Sequence, residues 1–249
     1  MAWIDDRGPD PIPVDLLDRI MYLGVPSTGP DGAFVPPAQD GPQAYLAVQG
    51  AHVEEIPTHF HSVEQFQYFV TGSGTIGGRS VEGGIVHYAD RYTPYGPLVA
   101  APPGLTYATL RPCHDTGVFV MPARRARLAD LLRASSRPAG DRQQHTVDLR
   151  APAADSGSGN ATKWNELVKG PDAFRVAVTG LAHGAASPSL TVGGAGAYLL
   201  VVSGAVDDGA APRGAGAIIW CAAGETFQAV AGPAGARVAL LQFPVGVVA

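Results

Sequence analysis

The sequence predicts an all-β protein made of two tandem domains, and three observations support this fold class. The chain of 249 residues contains 32 glycines and 22 prolines without a collagen-like period, which is typical of short strands joined by tight turns. Short apolar runs stand between these turn residues. The same order of glycines and apolar runs also occurs twice along the chain, which indicates an internal duplication.

Composition and charge narrow the class of protein further. Hydrophobic residues make up 46% and charged residues 16% of the chain, enough to bury one large β domain or two smaller ones. With a net charge of −5 and scattered basic residues, we expect no nucleic-acid partner. The N-terminus is acidic and proline-rich, and no run approaches the roughly 18 apolar residues of a membrane span. We therefore expect a soluble cytoplasmic protein without membrane association.

The first predicted element is a short helix near the N-terminus. Within the segment VDLLDRIMYL, apolar residues lie at helical spacing and Asp15 precedes them as a start signal. Strands are then predicted at QAYLAVQG, QFQYFVTG, GLTYATLRP, RVALLQFP and VGVVA, each bounded by Gly or Pro. Helix-length amphipathic runs do not alternate with these strands, which excludes a parallel α/β fold.

A second helix is predicted between the two domains. The segment ARRARLADLLR places Leu128, Leu131 and Leu132 at helical spacing beside solvated arginines. The segment RAPAADSGSGNATKW follows and has the composition of a loop. We therefore divide the chain into residues 1–145 and 146–249. The two cysteines, Cys113 and Cys221, have no metal-binding spacing, so we expect reduced thiols.

The duplication is read at an offset of 132 residues. This offset aligns YFVTGSG with LLVVSGA and EGGIVHYADRYTPYG with GAGAIIWCAAGETFQ. Turn glycines and apolar runs coincide in these segments, including Gly72 with Gly204 and Tyr95 with Phe227. The order of the matches carries more weight than their number, because glycine is abundant in this chain.

The candidate site lies in the segment THFHSVEQFQYFVTG, residues 58–72. His59 and His61 are two apart in a strand-like run and therefore face the same side, with Gln65 and Gln67 further along that face. If the face looks into a barrel, imidazole nitrogens and an amide oxygen converge there. Such donors suit zinc, manganese, iron(II), nickel or cobalt, and are poor for calcium. The alternative is that these residues are polar side chains on a solvated sheet.

Residues 59–72 resemble the first sequence motif of the cupins, with Gln65 where that motif has glutamate. Residues 84–95 resemble the second motif, with Tyr95 in place of its third histidine. The resemblance implies a bicupin, that is, two tandem double-stranded β-helix (jelly-roll) barrels with short accessory helices. It also implies a divalent transition metal, of open identity, held by His59, His61 and Gln65.

Several side chains are candidates to complete this site. His87 lies on the strand that leads to Tyr95 and is a candidate third ligand or acid/base group. Tyr95 and Tyr92 are candidates for proton transfer or substrate orientation, as is Tyr68; the alternative is that they are core aromatics. For His52 a packing role is favoured, since the dipeptide AH recurs in the second domain.

Glutamine in place of glutamate changes the expected chemistry. A dication held by neutral ligands keeps its full charge and is a stronger Lewis acid toward an anionic substrate group. Cupin hydroxynitrile lyases and some cupin polyketide cyclases resemble this pattern, which implies non-redox lyase, isomerase or cyclase chemistry on a small organic substrate. The alternatives are a non-haem iron dioxygenase and a non-catalytic small-molecule-binding barrel. Since cupins often dimerise, the resemblance also suggests a homodimer.

The second domain has lost the candidate ligands. At the same offset, His59, His61, Gln65 and Tyr95 are replaced by Thr191, Gly193, Ala197 and Phe227. None of these forms a useful metal-binding set, so we expect a structural role for this domain.

Overall fold

The computed structural model describes residues 3–4, 11–13, 18–24, 41–50, 55–115, 118–135, 142–151, 163–207, 209 and 211–246. The first half of the chain contains β1 (Trp3–Ile4), β2 (Pro11–Pro13), β3 (Asp18–Leu23), β4 (Gln43–Gly50), β5 (Glu55–Ile56), β6 (His59–Phe60), β7 (Gln65–Ile76), β8 (Arg79–Glu82), β9 (Ile85–Ala89), β10 (Leu98–Arg111), β11 (Phe119–Val120) and α1 (Arg125–Ala134). The second half contains β12 (Gln144–Asp148), β13 (Asn165–Lys169), β14 (Arg175–Leu181), β15 (Leu190–Thr191), β16 (Ala197–Asp207), β17 (Pro212–Gly214), β18 (Ile218–Cys221), β19 (Thr226–Phe227) and β20 (Val230–Gln242).

These elements form two compact units. Residues 8–147 make up the N-terminal unit, and residues 148–249 together with residues 1–7 make up the C-terminal unit. Both are built of β-strands, as predicted. In the part of the chain that the structure describes, no helix has the length and apolar character needed to cross a membrane.

The N-terminal unit is centred on the two long strands β7 and β10. Its main sheet has the order β12-β9-β7-β10-β4-β3-β2, with β5 beside β10 and β8 beside β7. Strands β6 and β11 pair in a separate two-stranded sheet. Neighbours that are not consecutive in sequence are typical of a jelly roll rather than an up-and-down meander.

The C-terminal unit has the same central strand order. Its main sheet runs β1-β18-β16-β20-β14-β13, so β18-β16-β20-β14-β13 corresponds to β9-β7-β10-β4-β3. The aligned glycines also share a conformation, since Gly72 has φ of 80° and Gly204 has φ of 72°. Their α-carbons face the carbonyls of Gly104 and Gly235 respectively.

The helix predicted near the N-terminus is wrong over the residues described, because Asp18–Leu23 is strand β3, paired with β4. The pairing satisfies backbone groups along one side of β4, and a short apolar run does not distinguish the helical period from the strand period. The other predicted helix is confirmed as α1, with Leu128 buried. Part of the interdomain loop, residues 152–162, lies outside the described residues, as does His52.

The other predicted strands give a mixed result. The strands predicted at QAYLAVQG and QFQYFVTG fall within β4 and β7, and those predicted at GLTYATLRP and RVALLQFP overlap β10 and β20, which end at Arg111 and Gln242. The strand predicted at VGVVA is absent at Val245 and Gly246, and residues 247–249 lie outside the described part. Both cysteines are reduced thiols, with Cys221 buried and Cys113 half-buried.

The inward face of the N-terminal unit changes from apolar to polar along its strands. Leu105, Tyr107 and Phe69 belong to the apolar core. Further along the same faces lie Gln65 on β7 and Arg111 on β10, both buried. The polar end of this interior is where the candidate site lies.

Aromatic residues are distributed unevenly between the units. Seven of the eight tyrosines lie in residues 8–147, and all three tryptophans lie in residues 1–7 and 148–249. Tyrosine signals therefore report mainly on the N-terminal unit, and tryptophan emission reports on the C-terminal unit.

Replacement of Gly72 by Ala is expected to destabilise the N-terminal unit by about 2 kcal/mol or more. Its positive φ disfavours any Cβ, and the added methyl group would overlap the Gly104 carbonyl oxygen. The measurement is urea unfolding followed by near-ultraviolet circular dichroism of tyrosine. Gly41→Ala is the control, because no atom lies within 4 Å of the added group. Equal effects of the two substitutions would contradict this account.

Candidate functional site

The structure brings His59 and His61 together at the polar end of the N-terminal unit. Their ring centroids are 5.2 Å apart and the rings are perpendicular. His59 begins β6 and exchanges backbone hydrogen bonds with Tyr95, at 3.1 and 2.9 Å. This bridge holds the loop after β9 against β6 and places the Tyr95 ring 4.5 Å from the His59 ring.

Each of these imidazoles has its Nδ1 engaged by an oxygen acceptor. His59 Nδ1 lies 2.7 Å from the Pro57 carbonyl oxygen, and His61 Nδ1 lies 2.7 Å from Asp115 Oδ2. A carbonyl oxygen and an ionised carboxylate only accept hydrogen bonds, so we assign the proton of each ring to Nδ1. Arg111 Nη2, which only donates, also lies 3.2 Å from His61 Nδ1, and the shorter contact with the carboxylate decides the assignment. In the neutral rings the lone pair is then on Nε2, the arrangement that prepares a histidine to bind a metal or accept a proton.

Arg111, Gln65, Tyr95 and His59 form a chain of hydrogen bonds in which each group donates to the next. Arg111 donates through Nε and Nη2 to Gln65 Oε1, at 3.1 and 3.0 Å. The Gln65 amide nitrogen donates to the Tyr95 hydroxyl oxygen, and the Tyr95 hydroxyl lies 2.9 Å from His59 Nε2. Because His59 Nε2 carries the lone pair, the phenol proton points toward His59.

The buried cation that starts this chain is neutralised by Asp115. Arg111 Nη2 lies 3.4 Å from Asp115 Oδ2, with side-chain exposures of 3% and 1%. Arg111 also donates to Gln43 Oε1 at 2.8 Å, and Ser62 donates to Asp115 through its backbone N–H and its hydroxyl. Burial alone would raise the pKa of Asp115, but Arg111 and His61 hold that pKa well below its usual range.

The groups at the centre of the site are kept uncharged. Burial lowers the pKa of His59 to about 3 and that of His87 to about 4. Burial also raises the pKa of the Tyr95 hydroxyl well above its ordinary value. At neutral pH His59 and His87 are therefore neutral imidazoles, and Tyr95 is a neutral phenol.

His87 also lies beside Tyr95. It pairs with Gln67 across β9 and β7, and its ring centroid is 5.4 Å from that of Tyr95. His87 Nδ1 lies 3.0 Å from Thr146 Oγ1 on β12. Its Nε2 is buried and has no hydrogen-bond partner in the described structure, as is also true of Gln67 Oε1. A buried imidazole nitrogen without a partner is unusual, and it leaves this atom available for a further hydrogen bond or a metal.

Tyr92 and Tyr68 occupy different surroundings. Tyr92 has φ of 57° and donates its backbone N–H to the His61 carbonyl at 2.8 Å, while its ring faces the guanidinium of Arg142 at 5.6 Å. Tyr68 pairs with Val86, and strand alternation directs it to the face opposite Gln65 and Gln67.

Arg111 and Asp115 were not predicted as site residues from the sequence. Arg111 shares its face of β10 with Tyr107 and Thr109. Because charged residues are seldom buried without a partner, an arginine on this face could have been recognised in the sequence as a candidate site residue. Asp115 follows four residues later, and nothing in the sequence marked it as the partner of His61.

The donor chemistry of the three histidines fits a divalent transition metal. His59 and His61 have fixed Nδ1 protons, and His87 has an unpartnered Nε2. Across the described ranges, however, no three His, Cys, Asp or Glu side chains are already grouped as a metal site. The Tyr95 ring stands among the three imidazoles instead, 4.5, 6.2 and 5.4 Å from His59, His61 and His87. In this arrangement Gln65 Oε1 is used by Arg111 rather than directed at a metal.

The C-terminal unit has an apolar interior at the corresponding positions. Ala197, Leu199, Ile219 and Phe227 all belong to one buried apolar cluster. Gln242, the counterpart of Arg111, accepts a hydrogen bond from the Gly193 backbone N–H at 3.0 Å. The polar site is therefore confined to the N-terminal unit among the residues described.

Comparison with solved structures identifies the fold. A protein provisionally assigned as a dioxygenase, from Nostoc punctiforme PCC 73102, has a TM-score of 0.61 at 10% identity, covering 96% of this chain and 78% of that chain. A pirin from Escherichia coli in complex with nickel(II) has a TM-score of 0.56 at 10% identity, covering 98% of this chain and 99% of that chain. Oxalate decarboxylase from Bacillus subtilis, which has Mn(II) centres, has a TM-score of 0.55 at 11% identity, covering 96% and 76%. These are cupin-fold proteins, and the chain shares their jelly-roll fold. No family model and no curated protein sequence matches the chain.

Proposed function

We propose that the chain is a bicupin enzyme whose N-terminal barrel catalyses a non-redox reaction on a small organic molecule, of lyase, isomerase or cyclase type, with a divalent transition metal. The observation that carries this proposal is the placement of a neutral imidazole, His87, beside a neutral phenol, Tyr95, both of which line one pocket. A proton acceptor and a proton donor that face one space are what such reactions require. The matching strand orders of the two units support the bicupin assignment.

His87 is the proposed proton acceptor, because its Nε2 has no hydrogen-bond partner in the described structure and burial keeps the ring neutral at pH 7. His61 has a different role. Its Nδ1–H is held by Asp115, which is itself fixed by Ser62 and Arg111. The carboxylate therefore orients the His61 ring so that Nε2 can bind a metal.

Tyr95 is the proposed donor to a developing negative charge. The Gln65 amide donates to its oxygen, and the Arg111 guanidinium polarises that amide. Successive hydrogen bonds with the same direction strengthen one another in a buried site. The phenol is thereby a stronger donor while it remains protonated at neutral pH.

The proposed metal ligands are the imidazoles of His59 and His61, each through Nε2. When bound, the metal supplies Lewis-acid polarisation of a substrate oxygen. Because His59 Nε2 cannot hold the Tyr95 hydroxyl and a metal at once, metal binding requires this hydrogen bond to open. The released phenol proton is then available to a substrate. The pirin in complex with nickel(II) and the oxalate decarboxylase with Mn(II) centres support a divalent metal in a barrel of this fold.

Metal analysis tests the proposal. Protein purified without a histidine tag is expected to contain about one zinc, manganese or nickel per chain, measured by plasma mass spectrometry. The double variant His59→Ala/His61→Ala is expected to lose this metal, because it removes both proposed imidazole ligands. His183→Ala, which changes an exposed histidine of the C-terminal unit, is the matched control and is expected to keep it.

The other outcomes select the remaining functions. Stoichiometric iron lost in the double variant would replace the non-redox proposal by a non-haem iron dioxygenase. Absence of metal from the wild type, even after incubation with zinc, manganese and nickel, would overturn the metal part and favour a non-catalytic small-molecule-binding barrel.

A further inference from the structure

A pocket opens beside the site, on the side of Tyr95 where His87 lies. Its volume is about 150 Å³, and its lining includes Arg79, His87, Tyr95, Gln144 and Thr146. These residues come from the start of β8, from β9, from the loop after β9 and from β12. An apolar protein cavity of about this volume holds a molecule the size of benzene, so the pocket accommodates roughly six non-hydrogen atoms.

The charge of the pocket comes from one residue. Arg79 is its charged lining residue, and no aspartate or glutamate lines it. Arg79 is exposed and forms no salt bridge within the described ranges. A guanidinium presents paired donors that match the two oxygens of a carboxylate. The pocket therefore favours a ligand with a single negative charge.

The inner wall of the pocket is built from the groups of the proposed reaction. His87 is 4% exposed and Tyr95 is 4% exposed. The His87 ring lines the pocket, and its Nε2 is buried without a hydrogen-bond partner in the described structure. Gln144 is fixed by donation to the Pro94 carbonyl at 2.7 Å, and Thr146 contacts His87 Nδ1.

We propose that this pocket is the substrate site and that the substrate is a small aliphatic monocarboxylate, anchored by Arg79 with its reactive end toward His87 and Tyr95. The inference rests on the proposed function for the identity of the reacting groups. Its binding component concerns the pocket alone and is tested separately.

The test is calorimetric titration of the full chain with propionate and lactate, in the presence of EDTA and again after loading with zinc. Propionamide and lactamide are the probes of equal size without charge. We expect the carboxylates to bind and the amides to bind at least about tenfold more weakly, because the amides lose a charge-assisted contact. Arg79→Gln is expected to weaken carboxylate binding about tenfold or more and to leave amide binding unchanged.

Arg127→Gln is the matched control, because Arg127 is an exposed arginine of α1 outside the pocket. It is expected to leave carboxylate binding unchanged. Equal affinity of carboxylates and amides, or an equal loss in both arginine variants, would overturn the inference, as would absence of carboxylate binding. If the protein takes up no metal but binds carboxylates through Arg79, the substrate pocket is upheld and the metal proposal is rejected. If the protein binds metal but no carboxylate, the metal proposal is upheld and the substrate pocket is rejected.

Discussion

Replacement of Arg111 by Met is expected to lower the free energy of unfolding of the N-terminal unit by about 3–5 kcal/mol. Methionine fills much of the same volume without the charge. Asp115 would then remain buried without its cation, and the Gln43 and Gln65 carbonyl oxygens would each lose a donor. The effect is large because the variant would bury both an uncompensated charge and unsatisfied hydrogen-bond acceptors in the interior of the N-terminal unit.

Urea unfolding followed by the tyrosine signal measures this effect, and tryptophan emission is expected to report an unchanged C-terminal unit. In the double variant Arg111→Met/Asp115→Asn the loss is expected to be smaller than the sum of the single losses, because the uncompensated charge is gone. Arg133→Met is the control. It breaks an exposed pair with Asp130 and is expected to cost less than about 1 kcal/mol. Additive losses in the double variant would show that Arg111 and Asp115 are not coupled.

Acidification is expected to destabilise the metal-free protein between about pH 6.5 and pH 4. The pKa of His59 falls to about 3 and that of His87 to about 4 in the folded state, from an ordinary value of 6.5. Within this window the unfolded chain binds protons that the folded chain does not, so stability falls as the pH falls. Each imidazole contributes a limiting slope of about 1.4 kcal/mol per pH unit, and the two together about twice that. Asp115 contributes below this window, because its pKa is lowered from 3.8.

Urea unfolding of the N-terminal unit at several pH values, with EDTA present, measures the slope. His87→Gln removes one of the two imidazoles and is expected to reduce the slope by about 1.4 kcal/mol per pH unit, whatever its effect on stability at pH 7. His183→Gln, at an exposed position of the other unit, is expected to leave the slope unchanged. A slope in His87→Gln equal to that of the wild type would contradict the burial of a neutral His87.

The fold class and the proximity of His59 and His61 could be predicted from the sequence. Glycines and short apolar runs determine where strands end, and both are visible in the sequence. Strand parity placed His59 and His61 on one face, and the resemblance to the cupin motif marked them as a candidate site. The N-terminal helix failed because the segment Asp18–Leu23 becomes a strand only through its pairing with β4, and such pairing is not a local property.

Arg111 and Asp115 were not predicted for a similar reason. Arg111 meets Gln65 because β10 lies between β4 and β7 in the sheet, an order that no local pattern contains. The motif that resembles the cupins directed attention to Gln65 as a metal ligand. The structure instead shows its carbonyl oxygen occupied by Arg111, 46 residues away in sequence.

The amide at residue 65 determines which way a proton faces on a different side chain. One end of an amide only accepts and the other only donates, so Gln65 accepts from Arg111 and leaves Tyr95 to donate to His59. A carboxylate at this position accepts at both ends, so the phenol proton would turn toward residue 65 and away from the imidazole. Exchange of one nitrogen for one oxygen, in Gln65→Glu, therefore reverses the polarity of the site without altering its shape.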